Sequence, residues 1–174
     1  MAAGESPKPP PLPTRSRLAE STLVETIDGP TPIVELLGKV MPVLTRFPDG
    51  RLGFRMMSQV RRLEVEEELV DLVVVGGRSV RLGGEHTVYT AEGGQQRVAD
   101  LRPGANLEPG WTYPAGYSIR DLPEYDTAFR GREWSEPVVV QEIRPVGAGP
   151  VVGVTVRETA SYFLTIGVRG RAQA

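Results

Sequence analysis

Few side chains of this 174-residue chain could carry covalent or acid–base chemistry. Cysteine is absent and His86 is the only histidine, which excludes disulfides, thiolate nucleophiles and the histidine-rich sites of catalytic zinc. An imidazole titrates near neutral pH and can serve as a general acid or base. The adjacent Glu85 is expected to raise the pKa of His86, because a negative charge favours the imidazolium form. The alternative, a packed structural histidine, stays open.

An acidic run offers carboxylates without the pattern of a metal site. Glu64, Glu66 and Glu68 share one face of a predicted strand, where residues two apart lie about 6.5 Å from each other. No second set of ligands accompanies them, so we predict a solvated strand face and no metal. The pairs Gly76-Gly77 and Gly83-Gly84 lack the Lys-Ser or Lys-Thr that follows a phosphate-binding loop. The sequence therefore predicts no cofactor.

Aromatic and arginine residues are interleaved between about residues 111 and 134. We expect Trp111, Tyr113 and Trp134 to anchor a partner, since aromatic side chains dominate protein interfaces. Such patterns can also stack nucleic-acid bases, but the formal net charge is -2 and no nucleic-acid-binding motif is present. The sequence therefore predicts a protein contact, or a loop folded over the end of the domain, and no nucleic acid.

Residues 1–16 form a proline-rich segment that lacks the apolar core of a secretory signal. Pro9, Pro10 and Pro11 favour an extended polyproline conformation. The segment is therefore predicted to be either a flexible, disordered leader or a stiff arm that lies on a partner. No apolar run approaches the roughly 20 residues of a membrane-spanning helix. We expect a cytoplasmic chain with no membrane association, and its oligomeric state stays open.

The elements that must position these residues are predicted to be strands. From Thr22 onward, short apolar alternations separated by turn-forming residues predict an all-β domain. A tight turn is predicted at Asp28-Gly29, a short helical turn within 32–38, and a bend after Arg61-Arg62 in a long ribbon strand. The sequence GAGP at 147–150 lies between two β-branched runs, and we predict a hairpin turn there.

Three separated segments carry an ordered set of strand, turn and glycine positions. They begin at Arg17, Val80 and Val152 and read RLAESTLVETIDGPTPIVEL, VRLGGEHTVYTAEGGQQRVADLRPGANL and VGVTVRETASYFLTIGV. In this order they resemble the blocks that define the Hint superfamily, the fold of inteins and hedgehog autoprocessing modules. The resemblance covers about 17–174 and implies a horseshoe of antiparallel strands.

The resemblance also implies where the reactive residues of such a domain should lie. A cysteine or serine at the first position attacks the preceding peptide carbonyl in this superfamily, but Arg17 stands there. A guanidinium has no nucleophilic atom at neutral pH. The central Thr-x-x-His pair is reduced to Gly83 and His86, and the closing His-Asn pair is replaced by Arg171 and Ala172. Only His86 of the reactive set remains.

Two functions follow from this degenerate, intein-like pattern. The first is a catalytically inactive domain that serves as a structural or protein-interaction module in a larger bacterial or phage assembly. The second is residual autoproteolysis, in which Ser16 or Ser21 acts with His86. Moving the attacking oxygen by one residue turns it to the other side of a strand, and moving it by four takes it out of the site. This geometry favours the inactive module.

Overall fold

The computed structural model describes residues 16–112 and 136–173, together with the backbone of 132–133. This part of the chain contains fourteen β-strands and two short 3₁₀ helices, and no α-helix. None of its helices has the length and apolar character needed to cross a membrane. The strands are β1 (Leu18–Ala19), β2 (Leu23–Thr26), β3 (Gly29–Pro32), β4 (Met41–Arg46), β5 (Leu52–Val74), β6 (Ser79–Gly83), β7 (Thr87–Tyr89), β8 (Gln95–Arg97), β9 (Asn106–Leu107), β10 (Trp111–Thr112), β11 (Arg132–Glu133), β12 (Val138–Val156), β13 (Ser161–Leu164) and β14 (Val168–Arg171), and the 3₁₀ helices are Ile33–Leu36 and Val98–Asp100.

Twelve of the strands in the described residues are joined in one sheet, whose ladders between named strands are all antiparallel. Its order is β8-β7-β14-β13-β2-β4-β5-β6-β1-β12-β9, with β3 paired to β2 and a further pairing of β5 with β12. β10 and β11 form a separate two-stranded ladder. The predicted all-β antiparallel fold is confirmed.

Two long strands form the ribbon around which the sheet is built. β5 has 23 residues and β12 has 19, and they pair along most of their length. Gln59 has a φ of 50°, and the register with β12 shifts between Ser58 and Arg61 and again between Arg62 and Glu66, as expected for bulges that bend the strand. The bulge or bend predicted after Arg61-Arg62 is confirmed by the shift between Arg62 and Glu66, and a second irregularity lies at Gln59.

The hairpin predicted at 147–150 is wrong, because β12 continues through these residues. Residues from Pro145 to Pro150 pair with β5, with a register shift between Pro145 and Gly147. Gly147 has a φ of 112°, which glycine adopts at no steric cost. The glycine conformation therefore serves a bulge within a strand and not a turn, since both flanking β-branched runs find the same pairing partner.

The two predicted local turns are confirmed. Gly29 has a φ of 105° and closes the hairpin between β2 and β3, in which Thr26 pairs with Gly29. The predicted helical turn is the 3₁₀ helix Ile33–Leu36, whose apolar residues face the core. It is followed by Gly38 at a φ of 70°, a left-handed residue of the kind that ends helical turns.

The first strand is built into the centre of the sheet. β1 lies between β6 and β12, so that Leu18 pairs with Leu82 on one side and Val152 on the other. All three side chains are fully buried in the main hydrophobic core, where each contributes about 1.5–3 kcal/mol relative to exposure. This insertion carries the preceding residues, Ser16 and Arg17, into the interior.

Candidate functional site

The first described residues are buried in the domain. Ser16 is fully buried and Arg17 is only 8% exposed, so Ser16, which the sequence analysis assigned to the proline-rich segment, packs with the strands. The backbone N–H of Gly83 donates a hydrogen bond to the carbonyl oxygen of Arg17 at 2.8 Å. This bond extends the pairing of β1 with β6 and places the predicted positions 17 and 83 side by side.

His86 meets Arg17 through the backbone amide. The histidine lies fully buried in the tight connection from β6 to β7, where its N–H donates to the carbonyl of Gly83 at 3.0 Å and its carbonyl accepts from the N–H of Val98 at 2.8 Å. These bonds fix the backbone of His86. Its Nδ1 accepts a hydrogen bond from the backbone N–H of Arg17 at 2.9 Å, so the structure brings two of the predicted residues into direct contact.

The imidazole of His86 is neutral at physiological pH. Burial, with a further contribution from the Arg17 charge, lowers the pKa of His86 to about 3. The expectation that Glu85 raises this pKa is wrong, because the Glu85 carboxylate instead accepts hydrogen bonds from Arg97 at 2.9 Å. With Nδ1 as acceptor, the ring proton resides on Nε2. An imidazole in this tautomer has no proton to donate to the Arg17 nitrogen.

The side chain of Arg17 forms a largely buried ion pair. Its Nε donates to Oε1 of Glu67 at 3.1 Å, and its Nη1 donates to the carbonyl oxygen of Ser16 at 3.3 Å. The second carboxylate oxygen of Glu67 accepts a weaker bond from the N–H of Glu85 at 3.4 Å. Burial raises the pKa of Glu67 against the opposing effect of the Arg17 charge. The position that a nucleophile would occupy thus holds a paired cation.

Gly83 leaves room for this ion pair. A Cβ atom at position 83 would overlap Oε2 of Glu67 and lie 2.9 Å from the Cβ of Arg17, closer than such atoms approach. The resemblance described in the sequence analysis implies a threonine at this position. The local role of Gly83 is to leave room for the Glu67 carboxylate beside Arg17, so the changes at positions 17 and 83 belong to one packing arrangement.

The two candidate serines lie in different surroundings. Ser16 Oγ is 3.5 Å from the hydroxyl of Tyr162, whose pKa is raised by burial so that the phenol keeps its proton. The Tyr162 ring also contacts His86 edge to face, with ring centroids 6.4 Å apart. Ser21 lies exposed in the turn after β1 and lines a cavity of about 120 Å³ with Arg81. Among the described contacts, neither serine hydroxyl is bonded to His86.

The end of the described chain passes the same histidine. Gly170 in β14 pairs with Val88 of β7, and a Cβ at Gly170 would lie 2.8 Å from Nε2 of His86. The next residues are the two predicted degenerate positions. Arg171 pairs with Ser161, and Ala172 is fully buried. Both ends of the described fold therefore lie at His86.

Sequence reasoning missed Glu67 and Gly170. A signal for Glu67 was present, because after the bend the apolar face of β5 carries Leu63, Val65 and Leu69, and Glu67 falls on this face by its spacing of two. A carboxylate on an apolar face requires a cationic or hydrogen-bonding partner. No local signal identified Gly170, whose role depends on a contact between distant strands.

The residues predicted to bind a partner are described only in part. Trp111 lies at the start of β10, where it packs with Leu44 and Phe163 in a second, smaller hydrophobic cluster. This packing accounts for its burial, and a partner contact at Trp111 stays a prediction. Tyr113, Trp134 and the prolines Pro9, Pro10 and Pro11 lie outside the described residues.

The acidic run has the solvated face that the sequence predicts. Glu64, Glu66 and Glu68 are all exposed on β5. The described part of the chain contains no cluster of three or more aspartate, glutamate or histidine side chains placed to hold a metal ion.

The chain was compared with known proteins. It matches no protein-family model and no curated protein. Its structure is similar to a variant of the Ssp DnaB mini-intein, with a TM-score of 0.70, 16% identity, and coverage of 91% of this chain and 94% of that chain. It is also similar to the DnaX mini intein from Spirulina platensis (TM-score 0.66, 13% identity, 90% and 99% covered) and to a bacterial intein-like domain from Clostridium thermocellum (0.64, 17%, 90% and 98%).

These likenesses extend over nearly the whole of each chain. At 13–17% identity they establish the fold alone. The predicted Hint fold is therefore confirmed.

Proposed function

Because the chain has the Hint fold of the inteins, we propose that it is a catalytically inert member of that architecture, used as a structural or protein-interaction module in a larger bacterial or phage assembly. One observation carries the proposal. The first position of the fold holds Arg17 in a buried ion pair with Glu67, while the neutral His86 accepts a hydrogen bond from the Arg17 amide.

The chemistry of this arrangement supports a site that holds the Ser16–Arg17 peptide in place and does not cleave it. An acyl shift needs a nucleophile adjacent to its own preceding carbonyl and a proton for the leaving nitrogen. Arg17 supplies no nucleophile, because its guanidinium is protonated and bonded to Glu67. His86 supplies no proton, because the nitrogen that faces the amide is the acceptor. The same contacts instead hold the Ser16–Arg17 peptide in one position.

The alternative of residual autoproteolysis has less support. If Ser16 were the nucleophile, the bond to break would be the one before Ser16, whereas His86 bonds to the amide one residue later, at Arg17. Ser16 Oγ is directed to the protonated Tyr162 hydroxyl, which is a poor base. Ser21 would act from an exposed turn.

The interaction part of the proposal rests on the sequence. We place the partner contact on the proline-rich arm with Pro9, Pro10 and Pro11, and on the aromatic residues Trp111, Tyr113 and Trp134, in a cytoplasmic assembly. Polyproline segments lose little entropy on docking, and aromatic side chains supply much of the binding energy at interfaces.

Intact-mass measurement tests inertness. A foreign peptide is fused before Met1, and the purified protein is incubated for several days with and without a thiol or hydroxylamine. We expect the mass of the uncleaved fusion under all conditions, with the His86→Ala variant behaving identically. Loss of a fragment that ends at Arg15, for attack by Ser16, or at Glu20, for attack by Ser21, would establish the autoproteolytic alternative if His86→Ala abolished it.

A second experiment tests the interaction. The full chain and a variant lacking residues 1–15 are used to capture companions from the native host. We expect both proteins to unfold at the same temperature and the truncated one to retain less of a stoichiometric companion. Equal recovery would remove the arm from the proposal. A matched Tyr113→Ala, Trp134→Ala variant separates the aromatic contribution.

A further inference from the structure

The Arg17–Glu67 pair differs from most ion pairs in the described residues by its burial. The two side chains are 9% and 17% exposed, whereas the Arg62–Glu20 pair, at 55% and 36%, is typical of the surface. A surface pair contributes little. A buried guanidinium without its carboxylate is strongly unfavourable, and this makes the pair a determinant of whether the segment stays in place.

The segment that Arg17 holds completes the sheet. β1 is two residues long, yet it fills the space between β6 and β12. The N–H of Gly83 bonds to the carbonyl of Arg17 at 2.8 Å, and Leu18 pairs with both neighbours. Without the segment, buried backbone groups of β6 and β12 would lose their hydrogen-bond partners. Two residues of ladder are too few to hold a strand alone.

The Arg17 guanidinium lies in a pocket formed by Glu67 and Gly83. Oε1 of Glu67 accepts from Nε, and Gly83 leaves the space into which Oε2 projects. Nη1 donates to the carbonyl of Ser16, which belongs to the same N-terminal segment as the arginine. The backbone N–H of Arg17 donates a hydrogen bond to Nδ1 of His86. An arginine side chain and the extended backbone that carries it are thus recognised together.

We propose that this pocket is a guanidinium-binding site that anchors the N-terminal segment, and that its ligand class is an extended peptide with arginine at this position, supplied by the chain itself through Arg17. The anchor deepens the proposed function, because it fixes the residue, Ser16, to which the arm is joined. The test below measures the pocket alone, so a failure of the anchor and a failure of the inert-module proposal are distinguishable.

Chemical rescue tests the pocket in the full chain. The Arg17→Ala variant removes the side-chain atoms beyond Cβ, which together correspond to N-ethylguanidinium. It leaves Glu67 without its cation. We expect millimolar N-ethylguanidinium to raise the melting temperature of Arg17→Ala in a saturable manner, by roughly 3–5 °C at ten times its dissociation constant. The wild type, whose pocket is filled, is expected to show no rise.

Two controls test whether the rescue depends on the guanidinium group and on the Glu67 carboxylate. Ethylammonium carries the same charge without the planar fork of donors and is expected to give less than half the shift. The Arg17→Ala, Glu67→Gln variant removes the carboxylate charge and is expected to lose the rescue. No saturable rise in Arg17→Ala, or an equal rise in the double variant, would overturn the proposal.

A second measurement covers the case in which Arg17→Ala does not fold. Gly83→Ala places a methyl group against Glu67, whereas Gly84→Ala meets only the Cβ of Ala99 at 3.3 Å and a backbone oxygen at 3.5 Å. We expect amide hydrogen exchange in residues 17–19 to be at least tenfold faster in Gly83→Ala than in Gly84→Ala. The excess should become smaller when both are made with Glu67→Ala, since the new methyl group then meets only Arg17. Equal exchange in the two glycine variants would contradict an anchor at this pocket.

Discussion

Along β5, adjacent glutamates have opposite surroundings. Glu66 and Glu68 extend into solvent from the ribbon, and their charges find no ion-pair partner among the described contacts. Glu67, between them, turns inward and accepts a hydrogen bond from the guanidinium of Arg17. The same side chain therefore solubilises a strand at two positions and holds the beginning of the fold at the third.

The alternation of the strand is what separates the two roles. Successive side chains of a strand point to opposite faces, and Glu66, Glu67 and Glu68 pair in regular register with Pro150, Gly149 and Ala148 of β12. A carboxylate on the outer face keeps its water and costs little. A carboxylate on the inner face loses water and must be paired, and Glu67 is paired with the Arg17 cation and the N–H of Glu85.

The largest expected effect is the loss of the inward carboxylate. Glu67→Ala leaves the Arg17 cation nearly buried and unpaired, and we expect the free energy of unfolding to fall by about 3 kcal/mol. Urea unfolding measures it. The matched control, Glu66→Ala, should change stability by less than about 0.5 kcal/mol. Equal losses in the two variants would mean that the inner and outer faces do not differ as described.

The pH dependence of stability sharpens the comparison at His86. The folded pKa of about 3 lies below the ordinary value of 6.5, so between these pH values the unfolded chain binds the proton and the folded one does not. This contribution to stability is complete above pH 6.5 and is lost as the pH falls through the window. Between pH 7 and pH 5 the His86 contribution should fall by about 2 kcal/mol.

The control for this titration is His86→Asn, whose side-chain oxygen can still accept from the Arg17 amide. We expect the loss of stability between pH 7 and pH 5 to be smaller in this variant by the His86 contribution, while Glu67 and the other carboxylates titrate in both proteins. Parallel pH curves for the two proteins would show that His86 is protonated as readily folded as unfolded.

The smallest expected effect belongs to the outer face of β5. Replacing Glu64, Glu66 and Glu68 together by glutamine removes three exposed charges, and we expect a change in the free energy of unfolding of less than about 0.5 kcal/mol for each. Addition of magnesium or calcium should leave the unfolding curve of the wild type unchanged, and likewise that of the variant. A metal-dependent stabilisation confined to the wild type would show that the outer face is a binding site.

The sequence predicted the strands and local turns because these depend on neighbours in the chain. The Asp28-Gly29 turn and the 3₁₀ helix after Pro32 have such local causes. The GAGP segment has no such local cause, because its glycines pair with residues of β5 about eighty positions earlier. The prediction gave more weight to local turn residues than to this distant pairing.

The site was predictable as a set of positions and not as a set of contacts. Arg17, Gly83 and His86 were placed together through the ordered blocks, and the structure joins them. What could not be predicted was the reason for Gly83, since the need for a glycine is created by Glu67, which is separated from it in sequence and packed beside it in space.

The proposal of an inert domain depends most directly on a neutral His86 that accepts a hydrogen bond from the Arg17 amide. Because His86 is the only histidine, ¹⁵N NMR of the uniformly labelled full chain reports its two ring nitrogens without ambiguity. We expect an unprotonated Nδ1 and a protonated Nε2 from pH 7 down to about pH 4, as long as the chain stays folded, with a slowly exchanging Arg17 amide. A proton on Nδ1 at pH 7, or a titration of the folded protein near pH 6.5, would contradict the account.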